Sequence, residues 1–177
     1  MRDTTSMLPL IVRDLRLEMD GRTLLDVPLA RIQNRQRNVI LGPNGAGKSL
    51  FLKTCHGLIP PTSGRIEYTL PVSTAEIRRK QAMVFQKPVM LRRSVRANFT
   101  HALAMAGVGW HERRRIADET MAQFGLSGLA DSPARVLSGG EQQRHAIARA
   151  ARLGPDLLFL DEPSSSVDPT ASRQIED

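Results

Sequence analysis

The chain is poor in the residues that stabilise secreted folds and in those that stack on nucleic-acid bases. It has a single cysteine, Cys55, so no internal disulfide can form, which favours a reducing compartment. One Trp, one Tyr and five Phe leave little aromatic surface for base stacking. The longest run without a charged or strongly polar residue, 102–110, is too short to span a bilayer. The first ten residues, MRDTTSMLPL, lack the apolar core of a signal peptide, so we expect a cytoplasmic protein.

Composition and charge are those of an ordinary globular protein. The 177 residues are 41% hydrophobic and 24% charged, which suits one domain and excludes disordered and fibrous classes. The net charge of +7 favours anionic partners, but the 25 basic residues are scattered along the chain. The densest cluster, Arg113–Arg115, is typical of a solvated helix face. We therefore expect no nucleic-acid partner.

The hydrophobic pattern alternates between strand-like and helix-like segments. Alternating polarity and short apolar runs predict strands at residues 10–19, 24–32, 38–41, 65–70, 82–85 and 157–160. Helices are predicted at 48–56, at 94–125 with a break at 107–109, at 138–153, and from Thr170 onwards. Strands that alternate with helices favour an α/β fold with a parallel sheet covered by helices.

Residues 42–49 have the spacing of a phosphate-binding P-loop. The segment lies between an apolar run and a predicted helix, as the motif requires, and consists of Gly42, Pro43, Asn44, Gly45, Ala46, Gly47, Lys48 and Ser49. Glycines let successive N–H groups turn towards phosphate oxygens, and the helix directs the positive end of its dipole at the same anion. Lys48 is suited to the β- and γ-phosphates and Ser49 to Mg²⁺. The segment predicts binding of a nucleoside triphosphate.

Two acids follow the apolar run 157–160. A continuous apolar run is typical of a strand buried on both faces, and ligands of open α/β sheets bind at the carboxyl ends of such strands. Asp161 is suited to hold Mg²⁺, and Glu162 is suited to polarise the water that attacks the γ-phosphate. Strand ends often carry charge for no functional reason, but beside a P-loop the catalytic interpretation is favoured.

The segment Leu137–Arg144, LSGGEQQR, has two interpretations. Ser138 and Glu141 have the spacing of a capping box, so the segment could simply be a well-capped helix start. Gly139 and Gly140 weaken a first helical turn by roughly 1 kcal/mol each, which capping alone does not explain. Glycines there expose N–H groups to a phosphate, which makes a second anion site. A head-to-tail dimer would use both sites, with each LSGGEQQR segment covering the γ-phosphate held by the other subunit.

The segments GPNGAGKS, LSGGEQQR, LLFLDEP and SSSVDP, in this order, resemble the ATP-binding subunit of ABC transporters. The resemblance covers essentially the whole chain, and LSGGEQQR is highly specific to this class. It implies a P-loop NTPase core with a RecA-like parallel sheet, an N-terminal antiparallel β subdomain and an inserted helical subdomain. The implied divisions are residues 1–86 for the β subdomain and P-loop core, 87–136 for the helical subdomain, and 137–177 for the remainder.

The resemblance also implies roles for further residues. Gln86 corresponds to the family's Q-loop glutamine, which senses Mg²⁺ and the attacking water. Asp168 corresponds to the D-loop aspartate that communicates across the dimer. The implied cofactors are ATP and Mg²⁺. The implied partners are a transmembrane permease subunit, a second copy of the chain and an extracytoplasmic substrate-binding protein, with the chain peripheral on the inner face of the membrane.

Three features depart from the family pattern. Met19 stands nearest to the position of the aromatic residue that stacks on adenine, and a methionine can still contact the ring. Leu50 stands where a threonine is common, so one hydroxyl contact to the α-phosphate is expected to be missing. The sequence ends at Asp177, and the family's switch histidine lies on a later strand, so we expect a truncated sequence relative to the family.

The leading functional hypothesis is an ATPase that powers a transporter. The alternatives are a soluble ABC ATPase and a nucleotide-binding or regulatory fragment with little turnover. Lys48 and Ser138 are only 90 residues apart, which leaves no room for the long coiled coil of repair and chromosome types. The segment 86–98 resembles importers of tungstate, molybdate or phosphate. Because it faces the membrane subunit and not the cargo, it indicates the substrate only indirectly.

Overall fold

A computed structural model describes residues 6–69 and 73–162. Asp168 and the predicted helix from Thr170 lie outside these ranges. The chain divides into two compact units, Met1–Ala82 and Met83–Asp177, and each is described by itself. Within the described ranges, no helix is both long enough and apolar enough to cross a membrane.

The first unit contains a three-stranded antiparallel sheet. Strand β1 (Leu10–Met19) is central, between β2 (Arg22–Ile32) and β3 (Ser63–Tyr68). The alternation predicted for β1 is confirmed, because its buried side chains include Leu10, Val12, Leu15 and Leu17. The sequence pattern slips by one residue between Val12 and Leu15, and there the pairing with β3 is irregular.

A glycine makes this irregularity possible. Asp14 has φ +48°, and a Cβ built on Gly64 would lie 2.2 Å from the Asp14 carbonyl oxygen. Gly64 itself has φ +83°, a conformation that side chains rarely allow. The backbone of β3 therefore approaches β1 at a distance that only glycine permits.

The first unit also contains two helices. Helix α1 (Lys48–Cys55) follows the P-loop, as predicted. Helix α2 (Thr74–Lys80) was not predicted; it begins with a capping box formed by Ser73 and Glu76. The strand predicted at 38–41 is wrong, because these residues have no strand structure and the Val39 and Leu41 side chains are 78% and 87% exposed. A strand requires a partner strand, and no described strand pairs with this run.

The second sheet is a pair of short strands, β4 (Gln81–Val84) and β5 (Leu157–Leu160). The N–H of Asp161, which directly follows β5, donates to the carbonyl of Val84 at the end of β4 at 3.0 Å. The carboxyl ends of both strands therefore lie together, so the strands are parallel. This confirms that the fold contains parallel strands, as predicted, and it puts the residues after β5 beside those after β4.

Three α-helices lie in the described part of the second unit. They are α3 (Val95–Met105), α4 (Trp110–Gln123) and α5 (Gly139–Arg152), with the predicted break at 107–109 between the first two. His145 of α5 is fully buried; its Nε2 lies 3.3 Å from the Val95 carbonyl and its ring 4.5 Å from that of Phe99. Burial lowers the pKa of His145 to about 4, so the ring is neutral at physiological pH. Helix α5 is thus fixed to the start of α3.

Candidate functional site

The P-loop enters helix α1 through two glycines in left-handed conformations. Gly45 has φ +84° and Gly47, the N-cap of α1, has φ +87°. A Cβ on Gly47 would lie 3.2 Å from the Leu24 carbonyl oxygen, so the loop is also packed closely against β2. These two positions make the chain turn sharply before the helix begins. The loop and the helix start that the P-loop motif predicts are therefore both present.

The start of α1 is open to an anion. No side chain caps it, and its first turn contains no acidic residue. The first N–H groups of a helix lack intrahelical acceptors and carry the positive end of the helix dipole. A phosphate group at this end would supply both the missing acceptors and the negative charge. Ser49 and Leu50 belong to the same first turn.

Lys48 folds back over the loop that precedes it. Its ammonium group donates to the carbonyl oxygens of Gly42 and Pro43, at 2.8 and 2.9 Å. The side chain is partly exposed, so the ammonium remains within reach of a ligand at the loop. Because a phosphate oxygen carries more charge than a carbonyl oxygen, it can displace these contacts.

The second group of predicted residues lies at the carboxyl ends of β4 and β5. Asp161 is 5% exposed and directly follows β5, and Glu162 comes next with φ +47°. A residue other than glycine seldom adopts such a φ, and strain of this kind is concentrated at functional sites. The turn brings the Glu162 carboxylate to a partly exposed position.

Gln86 and Glu162 are in direct contact. The Gln86 side-chain amide donates to the Glu162 carboxylate at 2.6 Å, although the two residues are 76 positions apart. The parallel pairing of β4 and β5 explains the contact, since each residue closely follows the end of its strand. The amide fixes the orientation of the carboxylate that the sequence predicts to be the catalytic base.

The segment Leu137–Arg144 forms a capped helix start. The Ser138 hydroxyl accepts from the N–H of Glu141, and the Glu141 carboxylate accepts from the N–H of Ser138 at 2.8 Å. The predicted capping box is therefore confirmed. The hydrogen bond from Ser138 lowers the pKa of Glu141, which keeps this carboxylate ionised. The N–H groups of Gly139 and Gly140 have no acceptor within 6–69 and 73–162.

Helix α5 also buries polar groups that the sequence did not single out. Gln143 is 1% exposed, and neither atom of its amide has a hydrogen-bond partner in the described part of the chain. His145 on the same helix is also fully buried, and its ring packs against Phe99. The signal was available, because Gln143, Ala146 and Ala150 have the spacing of one buried helix face.

The predicted magnesium ligands have suitable chemistry. Ser49, Gln86 and Asp161 offer hydroxyl, amide and carboxylate oxygens, which are the hard donors that Mg²⁺ prefers. Among described residues there is no group of three His, Cys, Asp or Glu side chains placed to hold a metal. Mg²⁺ needs no such group when it takes one carboxylate together with substrate phosphates. The donor atoms of each of these residues therefore suit a nucleotide-bound magnesium ion.

The side chain of Met19 is accessible to a planar ring such as adenine. It is the last residue of β1, and its side chain is 58% exposed next to the turn at Asp20 and Gly21. Exposed methionine can pack against an aromatic ring.

Comparison with protein families gives one matching profile, described as ABC transporter, over residues 28–165. Among the relatives is the tungstate uptake system ATP-binding protein TupC of Peptoclostridium acidaminophilum, which is 38% identical over 93% of this chain and 77% of its own length. Phosphate import ATP-binding protein PstB 2 of Bacillus licheniformis is 36% identical over 89% of this chain and 63% of its own length. The chain thus spans about two thirds to three quarters of these relatives.

A solved structure has the same fold. It is cbiO1 from Clostridium perfringens, described as part of the ABC transporter complex cbiONQ. The TM-score is 0.80 at 29% identity, with 96% of this chain and 70% of that chain covered. The ATP-binding subunit of another ABC transporter matches with a TM-score of 0.81 at 26% identity.

Proposed function

The chain belongs to the ABC transporter family as an ATP-binding, ATP-hydrolysing subunit, and from this membership we propose how its residues carry out the reaction. The observation that carries the proposal is the position of Glu162. Its carboxylate stands at the end of β5 and is oriented by the Gln86 amide. A carboxylate held in this way can accept a proton from the water that attacks the γ-phosphate.

The P-loop holds the triphosphate. Backbone N–H groups of the P-loop, apart from Pro43, which has none, and of the first turn of α1 donate to the phosphate oxygens. Lys48 moves from the carbonyls of Gly42 and Pro43 to the β- and γ-phosphates. Met19 contacts the adenine ring from its exposed position on β1. This arrangement positions the γ-phosphate for in-line attack.

Hydrolysis then follows. Ser49, Gln86 and Asp161 would hold Mg²⁺, which neutralises charge on the phosphates. Glu162 takes the proton as the water oxygen bonds to the γ-phosphorus. The bond to the β,γ-bridging oxygen breaks, and ADP and inorganic phosphate leave.

The segment Leu137–Arg144 supports a dimeric form of this site. Gly139 and Gly140 present N–H groups without acceptors in the described ranges, at the start of a helix. We propose that they bind the γ-phosphate held by a second copy, and that Asp168 communicates between the copies. Each homodimer would then enclose two ATP molecules.

In the transporter, the homodimer would lie on the inner face of the membrane against a permease subunit. An extracytoplasmic substrate-binding protein would deliver the cargo. The similarity to TupC and PstB 2, which are named for tungstate and phosphate, supports a tetrahedral oxyanion as that cargo.

The substitution Glu162→Gln tests the catalytic assignment. The amide preserves size but is a far weaker base, so phosphate release should fall by about 10²-fold or more. ATP affinity, measured with a fluorescent analogue, should change by less than about threefold, because the carboxylate is not among the phosphate-binding groups.

The matched control is Glu112→Gln on the exposed side of α4, which should leave both quantities unchanged. A Glu162→Gln turnover within about threefold of the unsubstituted chain would remove Glu162 from the catalytic role.

A further inference from the structure

The second unit has a basic cavity that contains none of the residues assigned to ATP binding and hydrolysis, although three of its residues belong to the segment 86–98 that the family resemblance places towards the permease. Its volume is about 470 Å³, and it is lined by Arg92, Arg93, Ser94, Asp131, Pro133 and Arg135. The first three residues precede helix α3, and the others precede helix α5. Three of the six side chains are guanidinium groups.

Backbone hydrogen bonds join the two walls of this cavity. The N–H of Ala134 donates to the Arg93 carbonyl at 2.9 Å, and the N–H of Val95 donates to the Ser132 carbonyl at 3.0 Å. Bonds of this kind fix the separation of the two segments. The backbone therefore holds the two walls of the cavity together, and the cavity does not depend on the conformations of long side chains alone.

A buried asparagine holds the segment that carries Arg92 and Arg93. Asn98 is fully buried; its Oδ1 accepts from the N–H of Leu91 at 3.0 Å, and its Nδ2 donates to the Ser94 carbonyl at 3.0 Å. Both ends of the short Leu91–Ser94 segment are thus tied to one side chain of α3. The two arginines extend from a backbone that is already ordered.

Nearby acids compensate the positive charge of the cavity only in part. Asp131 pairs with Arg96, which also pairs with Asp118 at 2.7 Å. Arg135 donates through Nε to a backbone carbonyl, that of Met90, at 3.3 Å. No carboxylate in the described ranges forms an ion pair with Arg92, Arg93 or Arg135.

The backbone N–H groups at the start of α3 are not available to bind an anion in the cavity. The N–H groups of Val95 and Arg96 donate to the carbonyls of Ser132 and Ala130, and the N–H of Ala97 donates to the Ser94 hydroxyl. The first turn is therefore satisfied within the chain. Any anion in the cavity would be bound by the guanidinium groups.

We propose that Arg92, Arg93 and Arg135 form a binding site for a phosphate group. A phosphate monoester or diester offers two or more charged oxygens and can accept from more than one planar guanidinium fork. A single carboxylate has only two oxygens and one charge for three arginines. The cavity has room for a phosphate group and for part of the molecule that carries it. The source is either a free phosphate compound or the headgroup of an anionic lipid.

The test uses the full chain with Lys48→Ala, so that phosphate binding at the P-loop is removed. Inorganic phosphate and glycerol 3-phosphate are titrated by calorimetry at about 0.15 M salt, where long-range charge effects are screened. Vesicles of phosphatidylglycerol with phosphatidylcholine, and of phosphatidylcholine alone, are compared by co-sedimentation. Binding of the soluble phosphates indicates a free ligand, and binding confined to the anionic vesicles indicates a headgroup.

The discriminating variant is R92Q/R93Q/R135Q, with R22Q/R78Q/R79Q as the matched control. Both remove three exposed positive charges, but only the first changes the cavity. We expect the first to weaken phosphate or vesicle binding about tenfold or more and the control to change it less than about twofold. A third variant, R92K/R93K/R135K, keeps the positive charges but replaces each planar guanidinium group with an ammonium group. It should give an intermediate loss of binding. Melting curves check that each variant is folded.

Two outcomes would overturn the proposal. Equal losses in both glutamine variants would mean attraction by net charge alone. Absence of binding in every arm would mean that the cavity has no phosphate ligand. Since no arm contains ATP or a functional P-loop lysine, these results are independent of the ATPase proposal.

Discussion

Two of the described helices, α1 and α5, follow the motifs that the sequence assigns to phosphate binding, and the starts of these two helices are built differently. Helix α1 has Gly47 as its N-cap, with no side-chain cap and no acid in its first turn. Helix α5 has Ser138 as its N-cap and Glu141 in its first turn, which cap each other reciprocally. One start is completed by its own side chains, and the other is not.

This difference indicates that the two motifs have separate roles in binding the nucleotide. The start of α1 gains acceptors and a compensating charge when a phosphate binds, so the ligand acts as its cap. The start of α5 is already stabilised, and the ionised Glu141 would repel an incoming anion. We therefore expect α5 to bind nucleotide poorly by itself and to engage a γ-phosphate that another P-loop already holds.

The largest expected effect comes from Lys48→Ala. It removes the one mobile positive charge at the open helix start, and the loss should weaken Mg·ATP binding by about 10³-fold, or about 4 kcal/mol. Fluorescence anisotropy of a labelled ATP analogue measures this. The control, Lys53→Ala, removes a lysine from the last turn of the same helix and should change binding less than about threefold.

Affinity of the Lys48→Ala chain within about threefold of the unsubstituted chain would contradict the assignment of the P-loop. It would also remove the contrast between the helix starts, since α1 would then have no special affinity for phosphate.

A smaller effect is expected from Gly47→Ala. The residue has φ +87°, and an added Cβ would lie 3.2 Å from the Leu24 carbonyl oxygen. A left-handed conformation costs a residue other than glycine about 1–2 kcal/mol, so the free energy of unfolding should fall by at least that amount. Urea unfolding measures it, and ATP affinity should fall as the loop shifts.

Gly128→Ala is the matched control, because a Cβ there meets no atom within 4 Å and the backbone has no positive φ. It should change the free energy of unfolding by less than about 0.5 kcal/mol. If both alanine variants were equally stable, the shape of the loop would not require glycine at position 47.

The same contrast shows what the sequence could predict. Both helix starts depend on residues close together in the chain, and for this reason the P-loop turn and the capping box of Ser138 and Glu141 were predicted correctly. Strand β5 was predicted residue for residue, because a continuous apolar run next to acids is a local signal. Helix α2 was missed as it is short and polar, although the spacing of Ser73 and Glu76 is that of a capping box.

Features that depend on distant partners could not be predicted. The run 38–41 is apolar, but apolarity indicates burial only when another strand pairs with it, and Leu41 is 87% exposed. The residues Gln86 and Glu162 were predicted separately from motifs. Their hydrogen bond depends on the pairing of β4 with β5, which the sequence pattern does not specify. The same holds for the cavity lined by Arg92, Arg93 and Arg135, whose walls are about 40 residues apart in the chain.

The smallest effect is expected from Ser138→Ala, which makes the start of α5 resemble that of α1. Loss of the cap should lower the free energy of unfolding by about 1 kcal/mol. The matched control is Ser73→Ala, which removes the serine of the other capping box, at α2, and should cost a similar amount. Only Ser138→Ala should also lower ATP turnover, because only this cap holds Gly139 and Gly140 in position. Urea unfolding and steady-state phosphate release measure the two quantities. If turnover fell equally in both variants, general stability would explain the loss, and the start of α5 would be a capped helix with no part in binding the nucleotide.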